Sequence, residues 1–586
     1  MCRIVGKICK LSLILLHKFT FFSINQTMKN LLLTLFCVFT FASIAHTQST
    51  VGLLSYKPFS SFDGYNLIYP HNQPNVYLLD NCGEIVHVWE GDEDLRPGNM
   101  AYLLEDGRLV LTSRPSVFSG DAIWAGGGGA NIMIKEWDNT ITWEYTMNDE
   151  NMRLHHDIAP IVKDGKLTIL AIAWEKKTLE EVIAVGRDTS VLEREEMWPD
   201  FILEIDPETN DFVWEWHAWD HLIQDFDSTK PNFGVVADNP TRIDINYDFD
   251  GSGDADWMHS NGLDYDVERA QILLCVPTFN EVWIIDHSTT TEEAASSIGG
   301  LGGRGGDLMY RWGNPAAYHA GTVDDQQLWY PHDAHFIDEH ISPVDPQYKK
   351  IGIFNNRVGS DYSTVNIWNP GWDMYDWGYS FLGETFGPVD FDLTRKHPVD
   401  STLMHSTGLS SLQYLPNTNL LVCVGRFGYA YEMTQDGDIV WEYKTPIIGG
   451  EAATQGDILT VNQNLTFRMD RYPVDYSGLV DQDLTSQGWI ELEPDTEICQ
   501  AYLPTNDIIT DYQIEIFPNP ADQMIAVKWD EAMYINIQVF DMIGRLEYQA
   551  NNVNGGMRYI DTSTFHDGAY NLVINGEDSG RFIISH

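Results

Sequence analysis

The sequence predicts an all-β protein, on three observations. Tryptophan, tyrosine and glycine are frequent, with 19, 27 and 47 residues in a chain of 586. Helix-period apolar stripes are hard to find, whereas short apolar stretches of period-two alternation recur along most of the chain. Asp-Gly, Pro-Asn and Asn-Thr turn signals separate these stretches. A chain of this length should form several domains or one large repeated architecture.

The alternating stretches form a loose repeat from about Leu54 onwards. Copies read NVYLLDNCGEIVHVWEG, IMIKEWDNTITWEYT, FILEIDPETNDFVWEWH and AYEMTQDGDIVWEYKTP, and each has a tryptophan near its end, at Trp89, Trp143, Trp214 and Trp441. Antiparallel strands that recur in this way must hide their edges, and radial stacking into a β-propeller does so most simply. A series of β-sandwiches is the alternative architecture.

The composition is strongly acidic and limits the partners of the protein. The formal net charge is −51 at pH 7, from 86 acidic and 35 basic residues. Such a surface repels phosphate backbones and anionic membranes, so we expect no nucleic-acid partner. An anionic substrate would require a local cationic pocket, which makes each buried histidine or arginine informative.

The chain begins with a predicted export signal. The stretch KNLLLTLFCVFTFASIAHT, which starts at Lys29, has a lysine, an apolar run and then small residues, and it fits a signal peptide translated from Met28. The apolar run is too short for a stable membrane span. We therefore expect a signal region at 1–47, a β-rich domain at 48–500, a linker at 501–513 and a small all-β domain at 514–586.

Four cysteines follow the leader, at Cys82, Cys275, Cys423 and Cys499. In an exported protein they could pair, but their wide spacing fixes no connectivity. Cys275 and Cys423 lie in apolar runs and are equally consistent with buried free thiols.

One acidic turn has the spacing of a calcium loop. The segment NYDFDGSGD places Asn246, Asp248 and Asp250 at alternate positions, followed by a glycine, which suits oxygen ligation of Ca²⁺. The twelfth loop position is Trp257 rather than glutamate, so a helix-flanked EF-hand is not supported. The sequence leaves open a structural calcium site or a merely acidic turn.

Histidines stand at the starts of predicted strands in four units of the repeat: His155-His156, His259, His332 and His405. Matched positions in successive propeller blades face one funnel, so these side chains are expected to converge. Zinc or copper binding lacks an HExxH or CxxC motif and is opposed by nearby Arg357, and serine hydrolysis lacks a GxSxG motif. What remains is transfer of an anionic group, with one imidazole as nucleophile, another as acid or base, and a guanidinium holding the oxyanion.

Five motifs in order resemble the bacterial arylsulfotransferase family. They are DWMHSNGLDYD, GGDLMYRWGNP, YPHDAHFI, FNNRVGSDYSTV and LQYLPNTNLLVCVG. The resemblance implies a six-bladed β-propeller that needs no cofactor. It also implies transfer of a sulfuryl group from a phenolic sulfate ester to a phenol through a sulfohistidine intermediate, without a nucleotide sulfate donor.

The resemblance also implies roles for individual residues. His259 and His332 match the two essential histidines, and Arg357 is offered for the essential arginine, although the family has a glycine after the Asn-Asn pair and its arginine slightly later. His405 is the candidate nucleophile, as the only histidine shortly before the SSLQYLPN strand. The residues expected to line the substrate pocket are His155, His156, Asn261 and Asn356.

The last seventy or so residues resemble the C-terminal sorting domain of proteins exported by the type IX secretion system. The matching residues are Phe517-Pro518-Asn519-Pro520, Asp541, Gly544 and Gly568-Ala569-Tyr570. The resemblance implies that this region is a small β-sandwich and that the type IX machinery is a partner. It also implies a secreted or cell-surface protein.

Two other functions stay open on the sequence. A surface-displayed propeller could bind aryl sulfates or other anions without turnover. An aryl sulfatase would use water in place of the phenol acceptor.

Overall fold

A computed structural model describes residues 49–117, 120–500, 514–529, 535–541, 545–553, 556–566, 568–574 and 577–586. The predicted signal region, its start at Met28 and the predicted linker lie outside these residues, as does Gly544. The described chain is all-β and poor in helix, as the sequence predicts.

Six antiparallel sheets of four or five strands make up most of the described chain, and we number them in chain order. Each is given in the order of its hydrogen-bonded strands, and we call the first strand given its innermost strand. Sheet 1 comprises Thr466–Pro473, Gly64–Pro70, Val76–Leu79 and Ile85–Trp89. Sheet 2 comprises Leu95–Leu103, Leu109–Pro115, Asn131–Lys135 and Ile141–Thr146. Sheet 3 comprises Met152–Lys163, Lys166–Glu175, Asp200–Ile205 and Phe212–His217.

The other three sheets follow the same pattern. Sheet 4 comprises Gly262–Asp266, Gln271–Val276, Glu281–Asp286 and Tyr310–Trp312. Sheet 5 comprises His332–Phe336, Ile351–Asn355, Thr364–Trp368 and Leu393–Arg395. Sheet 6 comprises Ser411–Tyr414, Leu420–Val424, Tyr429–Met433, Ile439–Lys444 and Gly52–Tyr56.

The two ends of this region share sheets across the whole sequence. Gly52–Tyr56 pairs with Ile439–Lys444 at the outer edge of sheet 6. Thr466–Pro473 pairs with Gly64–Pro70 and becomes the innermost strand of sheet 1. Strands from the start and the end of the region therefore lie side by side, which leaves fewer sheet edges unpaired.

Apolar cores lie between consecutive sheets, including sheet 6 with sheet 1. Val110 and Ile132 of sheet 2 pack with Leu203 of sheet 3, for example, while Leu421 of sheet 6 packs with Ile68 of sheet 1. The four tryptophans predicted to close the repeat units all lie in the fourth strand of their sheets. The sequence repeat is therefore confirmed as a repeat of sheets.

Three aspartate side chains join four successive sheets near their innermost strands. Asp157 of sheet 3 accepts the amide N–H of Leu263 in sheet 4 at 2.9 Å. Asp264 of sheet 4 accepts that of Phe336 in sheet 5 at 2.6 Å. Asp333 of sheet 5 accepts that of Leu412 in sheet 6 at 2.8 Å.

Short elements occupy the insertions between the main strands. Five two-stranded pairs are formed by Lys177–Thr178 with Glu196–Met197, Leu222–Ile223 with Ile243–Asp244, Trp372–Asp373 with Gly378–Tyr379, Phe381–Leu382 with Thr385–Phe386, and Ile447–Ile448 with Glu451–Ala452. The α-helices are Leu179–Ala184, Thr291–Ala294 and Glu497–Gln500. The 3₁₀ turns are Thr189–Val191, Ala218–His221, Val236–Asp238, Pro315–Tyr318, Val323–Asp325, Ser401–Met404, Gly425–Phe427 and Ser477–Leu479.

The C-terminal region contains two further antiparallel sheets. One is formed by Glu515–Phe517, Met524–Lys528 and Met557–Asp561, and the other by Leu546–Val553, Ile535–Asp541, Gly568–Ile574 and Glu577–Ile584. Val527 of the first sheet shares one apolar core with Val539 and Leu572 of the second.

The four cysteines among the described residues form one disulfide pair and two free thiols. Cys82 forms a disulfide with Cys499, whereas Cys275 and Cys423 are buried and free. The sequence had left this pairing open. No helix in the described part of the chain has the length and hydropathy of a membrane span.

Candidate active site

Three histidines from three sheets meet at the starts of the innermost strands, and we call His156, His259 and His332 the imidazole cluster. The ring centroids of His156 and His259 are 4.6 Å apart. The ring of Tyr330 lies 6.0 Å from both His259 and His332, and Phe467 of sheet 1 lies within 6.4 Å of His156 and 6.2 Å of His332. The structure thus brings together three of the four predicted histidine positions.

The backbone of the cluster is held in an unusual conformation. Residues with positive φ there are His156 (48°), His259 (51°), Tyr330 (52°) and Asp333 (59°). Residues other than glycine rarely adopt a positive φ, and such backbone strain concentrates at functional sites. Gly127 allows His156 to lie where it does, since a Cβ atom at Gly127 would be 1.9 Å from the Nε2 atom of His156.

His259 is paired with a carboxylate. Its Nδ1 atom lies 2.5 Å from an oxygen of Asp256, whose other oxygen accepts a hydrogen bond from the indole of Trp174 at 2.8 Å. Burial alone lowers the pKa of His259, but the adjacent Asp256 carboxylate outweighs it, and the net pKa is raised. His259 is therefore the proton-carrying imidazole of the cluster.

His332 has the opposite protonation preference. Burial, reinforced by the nearby charge of His259, lowers the pKa of His332 to about 3. Its Nδ1 atom lies 2.9 Å from the amide oxygen of Asn356, whose amide nitrogen donates to the carbonyl of Leu409. Because the Asn356 oxygen can only accept, His332 carries its proton on Nδ1 and presents an unprotonated Nε2. No described side chain forms a hydrogen bond with this Nε2, although the backbone of Tyr330 lies close enough to the ring to raise its pKa.

His155 and His156 lie side by side on the third sheet. The Nδ1 atoms of the two rings are 2.9 Å apart, and the ring of His155 stacks on Trp174 at 4.0 Å. The Nε2 atom of His155 lies 3.4 Å from Asp200. Burial and the neighbouring histidines lower the pKa of His156 well below its ordinary value, so it is neutral. His155 is fully buried and acts as a support for the ring of His156.

Arg357 lies at the cluster, as the sequence predicts. Its guanidinium stacks on the ring of Tyr330, with the central carbon 3.5 Å from the ring centroid, and its Nε donates to the carbonyl of Thr407 at 3.0 Å. The remaining guanidinium nitrogens make no hydrogen bond to a described residue. Tyr330 itself was not singled out from the sequence, although it directly precedes the Pro-His-Asp-Ala motif.

A second guanidinium, which the sequence reasoning missed, lies beside the first. Arg426, in the turn Gly425–Phe427 after the second strand of sheet 6, donates to the side chain of Asn462 at 3.1 Å. Its Nε atom is buried without a hydrogen-bond partner among the described residues. Burial and the charge of Arg357 lower the pKa of Arg426. The two arginines are 69 residues apart in the sequence, and no local motif connects them.

A cavity of about 310 Å³ opens onto this group. On one side it is lined by His259, Tyr330 and Arg357. On the other side lie aromatic and acidic residues of the insertion before sheet 4, namely Tyr247, Asp248, Phe249, Asp250, Asp254, Asp256 and Trp257. The lining combines aromatic walls, which suit a planar ring, with the guanidinium of Arg357 and four carboxylates, and it does not include His332 or Arg426.

Two predicted pocket residues are buried supports in the structure. Asn261 is fully buried and donates to the carbonyl of Pro331 at 2.9 Å, which holds the residue before His332 in place. Asn356 is also fully buried and fixes the tautomer of His332. Contact of either asparagine with substrate stays a prediction.

His405 lies apart from the contacts of the imidazole cluster. It follows the 3₁₀ turn Ser401–Met404 and is half-buried, and its Nδ1 atom is shielded without a hydrogen-bond partner among the described residues. The ring contacts found for the imidazole cluster do not include it. Its role as nucleophile stays a prediction.

The predicted calcium ligands face hydrogen-bond donors. The amide oxygen of Asn246 accepts the N–H of Asp188 at 2.7 Å, and Asp248 accepts the N–H groups of Gly251 and Gly253 and lies 3.4 Å from the guanidinium of Arg187. Asp250 accepts the N–H of Ser252 at 3.0 Å. Among the residues that the structure describes, no cluster of three or more metal-binding side chains is found. Calcium binding therefore stays a prediction, and this donor-filled arrangement does not favour it.

Fold and site together define an all-β protein in which imidazoles and guanidiniums lie close together. Residues 63–367 match the model of the arylsulfotransferase (ASST) family. The chain belongs to the arylsulfotransferase family. The match includes His259, His332 and Arg357, whereas His405 and Arg426 lie beyond it.

Residues 515–585 match the secretion system C-terminal sorting domain. This domain points to export by the type IX secretion system and to a secreted or cell-surface protein, as expected from the sequence. No curated protein sequence matches the chain significantly.

Several solved structures are similar to the chain at low identity. A protein of unknown function from Bacteroides caccae is 9% identical, with 70% of this chain and 98% of that chain covered and a TM-score of 0.35. The periplasmic gluconolactonase of Pseudomonas aeruginosa is 9% identical, covering 70% and 99%, with a TM-score of 0.33. The WD40 domain of Toxoplasma gondii coronin is 9% identical, covering 78% and 94%, with a TM-score of 0.28.

Proposed function

We propose that this protein transfers a sulfuryl group from a phenolic sulfate ester to a phenol, through a sulfohistidine and without a nucleotide sulfate donor. The observation that carries the proposal is the pairing of two imidazoles of opposite protonation. His259 is held protonated by Asp256, while His332 is held neutral, with no described side chain bonded to its Nε2. Environments that push two pKa values apart are typical of an acid and a nucleophile or base acting together.

The proposal includes the architecture. The six sheets serve as six blades of a β-propeller, with the imidazole cluster at the starts of the inner strands. The two C-terminal sheets form a small sandwich that the type IX machinery recognises. The apolar cores between consecutive sheets, including sheet 6 with sheet 1, support the blade count.

In the first half-reaction, the Nε2 atom of His332 attacks the sulfur of the donor ester. The N–S bond forms as the bond from sulfur to the phenolic oxygen breaks, and the departing phenolate takes the proton of His259. Arg357 balances the negative charge of the sulfuryl oxygens. The product is a sulfohistidine and a free phenol.

In the second half-reaction, the acceptor phenol gives its proton to the now neutral His259 and attacks the same sulfur. The N–S bond breaks, and His332 regains its lone pair while His259 regains its proton. The two half-reactions balance without a metal or cofactor, and they share one set of residues, so ping-pong kinetics are expected.

His405 is the second candidate for the nucleophile, from its place before the sixth sheet. The observation that favours His332 is that Asn356 engages its Nδ1 and no described side chain engages its Nε2, because a nucleophilic imidazole needs its second nitrogen fixed. Peptide mapping of the sulfated enzyme, trapped with donor in the absence of acceptor, distinguishes the two. A sulfuryl group on the peptide that contains His405 would transfer the role to that residue.

The direct test is the release of 4-nitrophenol from 4-nitrophenyl sulfate, with and without a phenol acceptor. Transfer predicts parallel double-reciprocal lines and formation of the acceptor sulfate. Release that is indifferent to acceptor would indicate a sulfatase. Thermal stabilisation by the ester with no release would indicate a binding propeller, and either result would overturn the proposal.

A further inference from the structure

Three innermost strands can be aligned through their hydrogen bonds. Gly262 pairs with Cys275 in sheet 4, His335 with Gly352 in sheet 5, and Ser411 with Cys423 in sheet 6. In each case the next residue donates its amide N–H to an aspartate of the preceding sheet; these residues are Leu263, Phe336 and Leu412. The three strands therefore share an amide bond to the preceding sheet, although in sheet 5 a bulge separates His335 from His332, which pairs with Phe354.

Counting back from these amides identifies the residue that precedes each strand at the same spacing. His259 lies four residues before Leu263, and His332 lies four residues before Phe336. Four residues before Leu412 is Gly408. The residue at this spacing before sheet 6 thus has no side chain, and His405 is three residues before it.

The space that a side chain at Gly408 would occupy faces Arg426. A Cβ atom built on Gly408 would lie 3.4 Å from Nη2 of Arg426, 3.8 Å from its Nε and 3.7 Å from Cε1 of His332. One small gap therefore separates the second guanidinium from the ring of His332. The guanidinium of Arg426 therefore lies beside Gly408, and it reaches there from the turn that follows the second strand of sheet 6.

The two guanidiniums of the site approach each other across this segment. Arg357 donates to the carbonyl of Thr407, the residue directly before Gly408. Neither Arg357 nor Arg426 forms an ion pair with a carboxylate in the part of the chain that the structure describes. The chain has 86 acidic residues against 35 basic ones, so two neighbouring cations without a carboxylate are a marked departure. An anion from outside the protein is the partner that this arrangement lacks.

We propose that Arg426 is a second sulfuryl-binding residue, which binds sulfuryl oxygens opposite Arg357. The ligand class is a sulfate monoester, or the sulfuryl group while it is transferred to and from His332. This inference rests on the proposed function and adds to it a residue outside the stretch matched by the family model.

The chemistry follows from the positions. As the ester bond breaks, negative charge is shared between the departing oxygen and the three sulfuryl oxygens. Arg357 alone can bind two of these oxygens as a planar fork, and Arg426 supplies donors to the third from the side of Gly408. The buried Nε atom of Arg426, which has no partner among the described residues, then acquires one.

The test compares Arg426→Gln and Arg426→Lys with the wild-type protein. Loss of one preorganised donor to a developing oxyanion costs about 10²- to 10³-fold in rate, so kcat/KM for 4-nitrophenyl sulfate should fall by that factor in R426Q. R426K keeps the positive charge and should retain part of the kcat/KM that R426Q loses. Arg395→Gln is the matched control, because Arg395 lies on sheet 5 and bonds only exposed carbonyl oxygens of Thr394 and Gln435.

Binding of inorganic sulfate provides a readout that does not depend on turnover. Calorimetry should show weaker sulfate binding in R426Q than in wild type, with R395Q unchanged and with all three proteins melting at similar temperatures. Wild-type affinity in R426Q would overturn the inference, even if wild type transfers sulfuryl groups. A wild-type protein that binds sulfate through Arg426 but does not turn over would overturn the proposed function instead. If R426Q fails to fold, the same two assays are carried out on R426K. Wild-type kcat/KM together with wild-type sulfate affinity in R426K would then contradict the inference.

Discussion

Sheets 5 and 6 begin their innermost strands at the same place in the site but with different chemistry. Sheet 5 presents His332, whose Nδ1 is fixed by Asn356. In sheet 6, Gly408 precedes the innermost strand, and Arg426 lies close to it. The histidine that the sequence offers for sheet 6, His405, stands three residues earlier in the loop. The two sheets therefore bring different groups to the site, an imidazole and a guanidinium.

The loop before sheet 6 fixes the backbone on both sides of His405. The 3₁₀ turn Ser401–Met404 is capped by the side chain of Asp400, and Met404 is buried against Tyr431. Ser406 is then tied to the hydroxyl of Ser363. These contacts fix the chain on both sides of His405 and leave its Nδ1 shielded.

The largest effect is expected from the substitution of His332, compared with the same substitution of His405. His332→Asn removes the proposed nucleophile, and transfer should fall by at least about 10³-fold, as it does when a covalent catalyst is lost. His405→Asn should stay within a few-fold of wild type. Steady-state transfer assays check both variants, and the reverse ranking would show that the loop histidine is the nucleophile.

The next effect concerns the support of His332. Asn356→Ala removes the acceptor that fixes the Nδ1 proton, and we expect a loss of roughly 10- to 100-fold in kcat, the range for residues that orient a functional ring. Asn356→Asp keeps an acceptor but adds a charge, which raises the pKa of His332. The N356D profile should therefore gain an acid limb that wild type lacks above about pH 4. An unchanged acid side in N356D would contradict this role.

The pH dependence tests the partner of His332. The pKa of His259 is raised above 6.5, so the imidazolium persists through neutral pH, and kcat/KM for the donor falls as pH rises through that pKa. Asp256→Asn removes the carboxylate that outweighs burial, so the pKa of His259 drops and the alkaline limb moves to lower pH. A pH series on wild type and D256N measures this shift. An alkaline limb that does not move would show that another group supplies the proton.

The smallest effect on kcat/KM is expected from a substitution of Gly408. A methyl group in Gly408→Ala meets Arg426 and His332 at ordinary contact distances, so the protein should fold with an unchanged melting temperature. The methyl narrows the gap between the guanidinium and the imidazole, and we expect a loss of a few-fold in kcat/KM for the donor. Wild-type kinetics in G408A would show that the sulfuryl group does not enter this gap.

Much of the site was predictable because its residues lie in local motifs. His259, His332 and Arg357 each follow or precede a recognisable strand, and the structure places all three together. The repeat of Trp89, Trp143, Trp214 and Trp441 was likewise local, since an alternating pattern and a turn signal determine each fourth strand. Asp256 could have been found as well, because it stands three residues before His259.

The sequence by itself determined the all-β repeat, the sorting domain and the histidines at the strand starts, because periodicity and turn chemistry act over a few residues. Only the tertiary structure decided the pairing of Cys82 with Cys499 and the placing of Arg426 beside Gly408. These depend on sheets that meet across hundreds of residues, which no pattern of a few residues can fix.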